Sequence, residues 1–302
     1  MSLLTLDPTQ LSTVQNKVVV ITGGGDGIGL ATVISFLENG AKVVVGDLRS
    51  EKVLEQSSKF GDRLRFVRCN VASYQDQLNL FKIAQETFGS VDVAIANAGT
   101  GNFPDPISSI ENILEEPSLP EVDVNLRGAL FTARIAVYYM RQNGSGDLIL
   151  TSSIGGFKET IGLTPYVASK HGVIGIMRGL RLTSMRDNIR VNVVCPWMTF
   201  TSMTKGIAPA WQQENLPYNK AQDVANAMLI CVMANQKLGV SDDGRKDPFH
   251  GKIIFVGGGN SYEIEDRLQN LEPDWLGREN SRVVELGQQF LHNGETSWQG
   301  PT

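Results

Sequence analysis

Cysteine and histidine are scarce in this 302-residue chain, with three of each. Cys69, Cys195 and Cys231 are odd in number, widely spaced and never in a CxxC pair. That pattern argues against a disulfide framework or a zinc site and fits a reducing compartment. His171, His250 and His292 show no metal-ligand spacing, so no metal is expected. A basic excess is also missing: 27 Lys and Arg stand against 32 Asp and Glu, a net charge of −5. A nucleic-acid partner, which needs a basic face, is not expected. No run approaches the roughly 18 apolar residues of a membrane span. The opening "MSLLTLDPTQLSTVQNK" lacks the basic start and apolar stretch of a secretory signal. The expectation is a cytoplasmic protein without a membrane partner.

What the chain does contain is a regular beat of short apolar runs. They fall at 17–23, 42–47, 64–67, 91–95, 147–151, 190–195 and 252–258. Helix-length segments separate them, near 27–40, 73–88, 121–142, 165–186 and 221–236. Strands buried on both faces read as continuous apolar runs, and strand–helix alternation implies a parallel sheet. The spacing predicts an α/β fold: a doubly wound, Rossmann-like, seven-stranded parallel sheet with helices on both faces, in a single domain. Residues 1–16 read as a lead-in and 17–258 as the sheet domain. Residues 259–302 read as a C-terminal extension beyond the last strand, with an amphipathic helix in 274–291 and a frayed end. Residues 100–120 read as a loop. Residues 197–220 hold two Trp, a Phe, a Tyr and two Met between a strand and a helix. Beyond the carboxyl ends of such strands, that composition reads as a substrate lid for a lipophilic or aromatic molecule.

"ITGGGDGIG" lies where the first strand turns into the first helix. Glycines there allow backbone angles that a Cβ forbids and let the chain approach a pyrophosphate, with the helix N-terminus favouring the anion. The spacing is Gly23-x-x-x-Gly27-x-Gly29 rather than GxGxxG. Asp47 follows the second strand about 20 residues on, where a carboxylate accepts from ribose hydroxyls. Its charge would repel a 2′-phosphate, so NAD is expected over NADP. Arg49 is read as a solvated helix-start residue.

"TGGGDGIG" (22–29), "NAG" (97–99), Asn125, Ser153 and "YVASK" (166–170) together resemble the short-chain dehydrogenase/reductase family over residues 16–258. Each motif alone is weak; their order and placement at strand ends carry the likeness. The resemblance implies that Gly23, Asp26, Gly27, Ile28, Gly29, Asp47, Asn70, Val71, Asn97, Ala98, Gly99, Tyr166, Lys170, Pro196 and Thr201 hold the dinucleotide. It implies Asn125, Ser153, Tyr166 and Lys170 as the catalytic set, and assembly into a homodimer or homotetramer through helices near 121–142 and 165–186. Asn70 stands where the family usually has Asp. Trp197 stands where it usually has Gly, close to the nicotinamide.

Tyr166 and Lys170 share one helical face at a spacing of four. A nearby ammonium stabilises a phenolate, so Lys170 is expected to lower the Tyr166 phenol from about 10. A phenol so tuned takes a proton from an alcohol or returns it to a ketone. Ser153 is expected to bond the substrate oxygen, with Ser152 facing elsewhere. The resemblance implies that Asn125 supports a proton relay. The leading expectation is hydride transfer between NAD(H) and a secondary alcohol or ketone, with oxidation the favoured direction. A dinucleotide-bound cyclase, epimerase or dehydratase is the enzymatic alternative, kept open by Trp197. A dinucleotide-sensing binding protein is the alternative of another class.

Overall fold

The computed structural model describes residues 2–101, 104–108, 113–233 and 248–292. Its strands are β1 (Ser2–Leu4), β2 (Val18–Thr22), β3 (Lys42–Asp47), β4 (Leu64–Arg68), β5 (Val93–Ala96), β6 (Gly146–Thr151), β7 (Ile189–Pro196), β8 (Thr199–Phe200), β9 (Asn219–Lys220), β10 (Ile253–Gly257) and β11 (Asn260–Glu263). Its helices are α1 (Gly27–Glu38), α2 (Glu51–Glu55), α3 (Ser57–Phe60), α4 (Tyr74–Phe88), α5 (Gly128–Asn143), α6 (Thr164–Leu180), α7 (Ala208–Gln213), α8 (Ala221–Met233), α9 (Glu265–Asn270), α10 (Glu272–Leu276) and α11 (Arg278–His292).

Strand β2 shows why the sheet is covered on both sides. Val18 and Val20 enter one core cluster, and Val19 and Ile21 enter the other. That division follows from a side-chain period of two. The first cluster takes Leu80 and Phe81 from α4, Ala136 and Met140 from α5, and Val173 and Met177 from α6. The second takes Phe36 and Leu37 from α1, with Val224 and Met228 from α8. Fully burying one such side chain contributes about 1.5–3 kcal/mol. Four in a row anchor β2 firmly, and with it the glycine turn that follows.

The seven expected strands form the parallel sheet, in spatial order β4-β3-β2-β5-β6-β7-β10. The order reverses between β2 and β5, which opens a crevice beyond their carboxyl ends. Two antiparallel strands add to the β10 edge. β11 pairs with β10, and β1 pairs with β11 in the register Ser2↔Glu263 and Leu4↔Ser261. The extension after 258 therefore begins inside the sheet rather than beyond it, and the lead-in carries a strand and the buried Val14. Both added strands are short and not continuously apolar, because they pair at an edge instead of filling the core.

Three helix expectations need adjustment. The amphipathic helix expected over 274–291 is divided between α10 and α11 at Gly277 (φ +87°). The segment near 121–142 starts with a π-helical stretch, Val122–Arg127, before α5. The segment near 165–186 ends as α6 at Leu180, and a separate 3₁₀ turn covers Ser184–Asp187. Residues 234–236, the frayed end at 293–302, and 102–103 and 109–112 of the 100–120 loop lie outside the described residues. Among the described residues, no helix is long and apolar enough to cross a membrane.

Candidate active site

The glycine turn is built on contacts that exclude side chains. Gly23 (φ +68°) and Gly27 (φ +52°) occupy the left-handed region. A Cβ on Gly23 would lie 2.5 Å from the Ala98 Cα, and one on Gly29 would lie 1.9 Å from the Gly23 carbonyl oxygen. Ile28, partly buried, packs its side chain into the α1–α8 core. Asp26 precedes α1 as its N-cap, yet its side chain makes no capping hydrogen bond. Its carboxylate meets the Gly27 N–H, and the start of α1 still offers the positive helix end that favours an anion. Asp47 sits beside the turn at the end of β3. One of its oxygens accepts from the Gly25 N–H (2.8 Å) and the other from the Arg49 N–H (3.1 Å). A narrow glycine cradle with a carboxylate at its rim fits a dinucleotide.

The neighbouring strand ends complete this edge. The Asn70 amide oxygen accepts from the Ala72 N–H at 3.1 Å, closing an Asx turn after β4. Val71 is buried against Gly128 at the start of α5. After β5, the Asn97 side chain donates to the Gly23 carbonyl at 2.9 Å, and the Asn97 and Ala98 N–H groups reach the Thr22 hydroxyl. Gly99 faces Asn125 and Lys170: a Cβ there would stand 3.4 Å from the Asn125 Oδ1 and 3.6 Å from the Lys170 Nζ. Pro196 ends β7 in the buried sheet, paired with Val256. Thr201 comes next to the turn, its methyl carbon 3.1 Å from where a Gly27 Cβ would be.

Helix α6 brings Tyr166 and Lys170 to the same place. Tyr166 is half-buried and hydrogen-bonded to the Ser153 side chain. The Ser153 hydroxyl also accepts from the Gly155 N–H at 3.2 Å. Lys170 is buried; its Nζ lies over the Tyr166 ring, 5.6 Å from the centre, and donates to the Thr151 carbonyl at 3.0 Å. Ser152 faces away from the phenol, donating to the Lys170 carbonyl at 2.8 Å. Asn125, 2% exposed in the π-helical stretch, accepts from the Thr100 N–H (2.7 Å) and donates to the Thr100 carbonyl (2.9 Å) and the Ser169 hydroxyl (3.1 Å). A wide turn of this kind re-aims a side chain that a regular helix would place elsewhere.

One electrostatic expectation is reversed. Burial pushes the Tyr166 phenol up, against the hydrogen bond from Ser153 that pulls it down. Burial also pulls the Lys170 ammonium down from 10.5 to about 8. Both shifts have one cause: the pocket strips water from two groups whose charged forms need it. Cys195, beside them, is pushed up to about 12 by the same burial.

Sequence reasoning missed two contacts that frame the site. Asp105 accepts from both the Thr164 N–H (2.9 Å) and the Thr164 hydroxyl (2.7 Å), tying the 100–120 loop to the start of α6. These bonds hold its carboxyl down at about 2. Asp26 bonds Lys52 and, from the 197–220 segment, Ser202. Both contacts link residues far apart in sequence, and no local pattern announces them.

The segment 197–220 is aromatic. Trp197 meets Trp211 edge-on with centroids 5.8 Å apart, and Phe200 stacks on Tyr218 at 4.0 Å. Its root is pinned by the β8–β9 pair and by Asn219, which donates to the Val256 carbonyl at 2.9 Å. Among the described residues, no cluster of His, Cys, Asp and Glu is placed to hold a metal ion.

Comparisons with known proteins converge on one group. The family model described as short chain dehydrogenase matches residues 17–212. A short-chain dehydrogenase/reductase of Acremonium egyptiacum is 35% identical over 269 residues, covering 85% of this chain and 84% of its own. The 5'-hydroxyaverantin dehydrogenase of Dothistroma septosporum is 28% identical, covering 88% of this chain and 92% of its own. A solved 7α-hydroxysteroid dehydrogenase, complexed with NADH and 7-oxo glycochenodeoxycholic acid, has a TM-score of 0.71 at 25% identity. That likeness covers 84% of this chain and 97% of the other.

Proposed function

The chain belongs to the short-chain dehydrogenase family of oxidoreductases, and we propose that it moves a hydride between NAD(H) and a lipophilic or aromatic secondary alcohol or its ketone. The observation that carries this reading is the convergence of Ser153, Tyr166, Lys170 and Asn125 beside the glycine turn and Asp47. A sensor would need the turn and the aspartate but not a phenol set against a buried amine.

Gly23, Gly27, Gly29 and the first turn of α1 would hold the pyrophosphate, and Asp47 would accept from the adenine-side ribose in place of a 2′-phosphate. When bound, the nicotinamide supplies or accepts the hydride. The protein's share is the proton. In reduction the Tyr166 hydroxyl would donate its proton to the carbonyl oxygen and become a phenolate, and in oxidation that phenolate would take the proton from the carbinol. Ser153 bonds the same oxygen and steadies its developing charge. Lys170 compensates the phenolate that forms, and Asn125 fixes the Thr100 backbone and Ser169 around it. Burial keeps Tyr166 a neutral phenol at rest, which suits it to donate.

The aromatic lid supports a lipophilic substrate: Trp197, Met203, Ile207 and Leu216 are each at least 40% exposed beyond the strand ends. The names of the hydroxyaverantin and hydroxysteroid relatives favour a carbinol or ketone. For assembly, we take the apolar groove of about 730 Å³ between α4, α5 and α6 as the self-association face of a homodimer or homotetramer; Leu130, Tyr138, Ile176 and Leu180 line it.

A panel of ring ketones and secondary alcohols with NADH, NAD+ and their phosphorylated forms tests the reading. Tyr166→Phe should keep dinucleotide binding and lose turnover by about 10²–10⁴-fold. Undiminished turnover in that variant would remove the tyrosine from the mechanism.

A further inference from the structure

We propose that Asp26 is a latch: by bonding Ser202 it holds the lid against the glycine turn and so sets how fast the dinucleotide leaves. The rate part of this proposal rests on the dinucleotide reading above; the latch itself rests on geometry.

Three segments that ring the site meet at one carboxylate. Asp26 belongs to the turn after β2, Lys52 to α2 beyond β3, and Ser202 to the 3₁₀ turn that opens the lid beyond β7. The Lys52 ammonium donates to Oδ1 and the Ser202 hydroxyl donates to Oδ2, each at 2.5 Å. One residue away, Thr201 already touches the turn, its Cβ 3.2 Å from where a Gly27 Cβ would be. The lid is thus fixed at its root by Asn219 and meets the turn at Thr201 and Ser202.

The chemistry suits a latch more than a ligand contact. Asp26 stands at the N-terminus of α1 and meets the Gly27 N–H, but it makes none of the capping bonds to the next N–H groups that an N-cap carboxylate ordinarily makes. Left alone, its charge would compete with a pyrophosphate for the same helix end. Lys52 offsets that charge and turns the carboxylate outward, towards the lid. The Lys52 and Asp26 side chains are 54% and 32% exposed, and Ser202 is exposed. A bond so close to water opens easily, and its contribution lies at the low end for a charged hydrogen bond.

The experiment follows NADH release by stopped-flow fluorescence in wild type, Ser202→Ala, Ser202→Thr, Asp26→Ala and the Ser202→Ala/Asp26→Ala double variant. Ser202→Ala should release NADH on the order of three- to tenfold faster, with its association rate unchanged. Ser202→Thr, which keeps a hydroxyl, should restore the wild-type rate. The double variant should be no faster than Asp26→Ala alone, because the two residues share one bond. A second readout needs no coenzyme: trypsin should cut after the exposed Lys205 faster in Ser202→Ala than in wild type. Equal release and equal cleavage would overturn the latch, as would fully additive effects in the double variant. If wild type binds no NADH, the NAD(H) reading falls, and the trypsin comparison alone then upholds or overturns the latch.

Discussion

Replacing Lys170 with methionine should make the coenzyme-free protein more stable while abolishing its chemistry. The side chain is buried, and burial lowers its ammonium from 10.5 to about 8. At neutral pH the folded protein therefore carries a charge that the unfolded chain holds more easily. At 1.36 kcal/mol for each tenfold, that fall corresponds to about 3 kcal/mol of strain at pH 7. Against this stands the bond from Nζ to the Thr151 carbonyl, whose loss costs about 1–2 kcal/mol. Methionine fills similar volume without charge, so the net gain should be about 1–2 kcal/mol. The sign with pH is specific. A lysine depressed in the folded state penalises folding most at low pH, and the penalty fades as pH rises through about 8 towards 10.5. The gap between variant and wild type should therefore narrow by about 1–1.5 kcal/mol between pH 7 and pH 9. Urea unfolding of coenzyme-free protein, followed by the fluorescence of its four tryptophans, measures both quantities. A variant less stable than wild type at pH 7, or a gap that stays constant with pH, would refute the claim that an ammonium is held here at a cost.

Other outcomes follow from the same contacts. Asp47→Ser should weaken NADH binding and strengthen NADPH binding, shifting the ratio of their dissociation constants at least about tenfold in a fluorescence titration; an unchanged ratio would remove Asp47 as the selector. Arg190 forms a two-bond pair with the buried Asp147 across β6 and β7 at 2.7 and 2.8 Å. Arg190→Met should cost about 3–5 kcal/mol in urea unfolding by taking both of these charged bonds from a buried carboxylate.

The parallel sheet was legible because each central strand is buried on both faces, and only a continuous apolar run can satisfy that. "KVVVITG" and "KVVVGD" state it in local composition. The glycine turn was legible for a related reason, because it falls where an apolar run stops, while Asn97, Ser153 and Pro196 were named only through the family resemblance. Neither reason applies to β1 or β11. Their pairing depends on a neighbour some 260 positions away and leaves no periodic trace. The π-helical stretch at Asn125 was hidden because it differs from an α-helix by one hydrogen-bond step, not by composition. The direction of the Tyr166 shift was misread because spacing reveals the cation four residues on but not how much water the folded pocket excludes. Asp26 sat in plain view within the glycine motif, but its partners Lys52 and Ser202 came together only through folding.

The joining of β1 to β11 imposes an order of events on biosynthesis. Ser2–Leu4 is synthesised long before Asn260–Glu263, and it has no other strand to pair with in the finished sheet. Until residue 263 clears the ribosome, those first residues must wait unpaired while the parallel layers assemble behind them. Closure of that seam therefore cannot precede synthesis of β11, whereas β2 to β6 can pair before it.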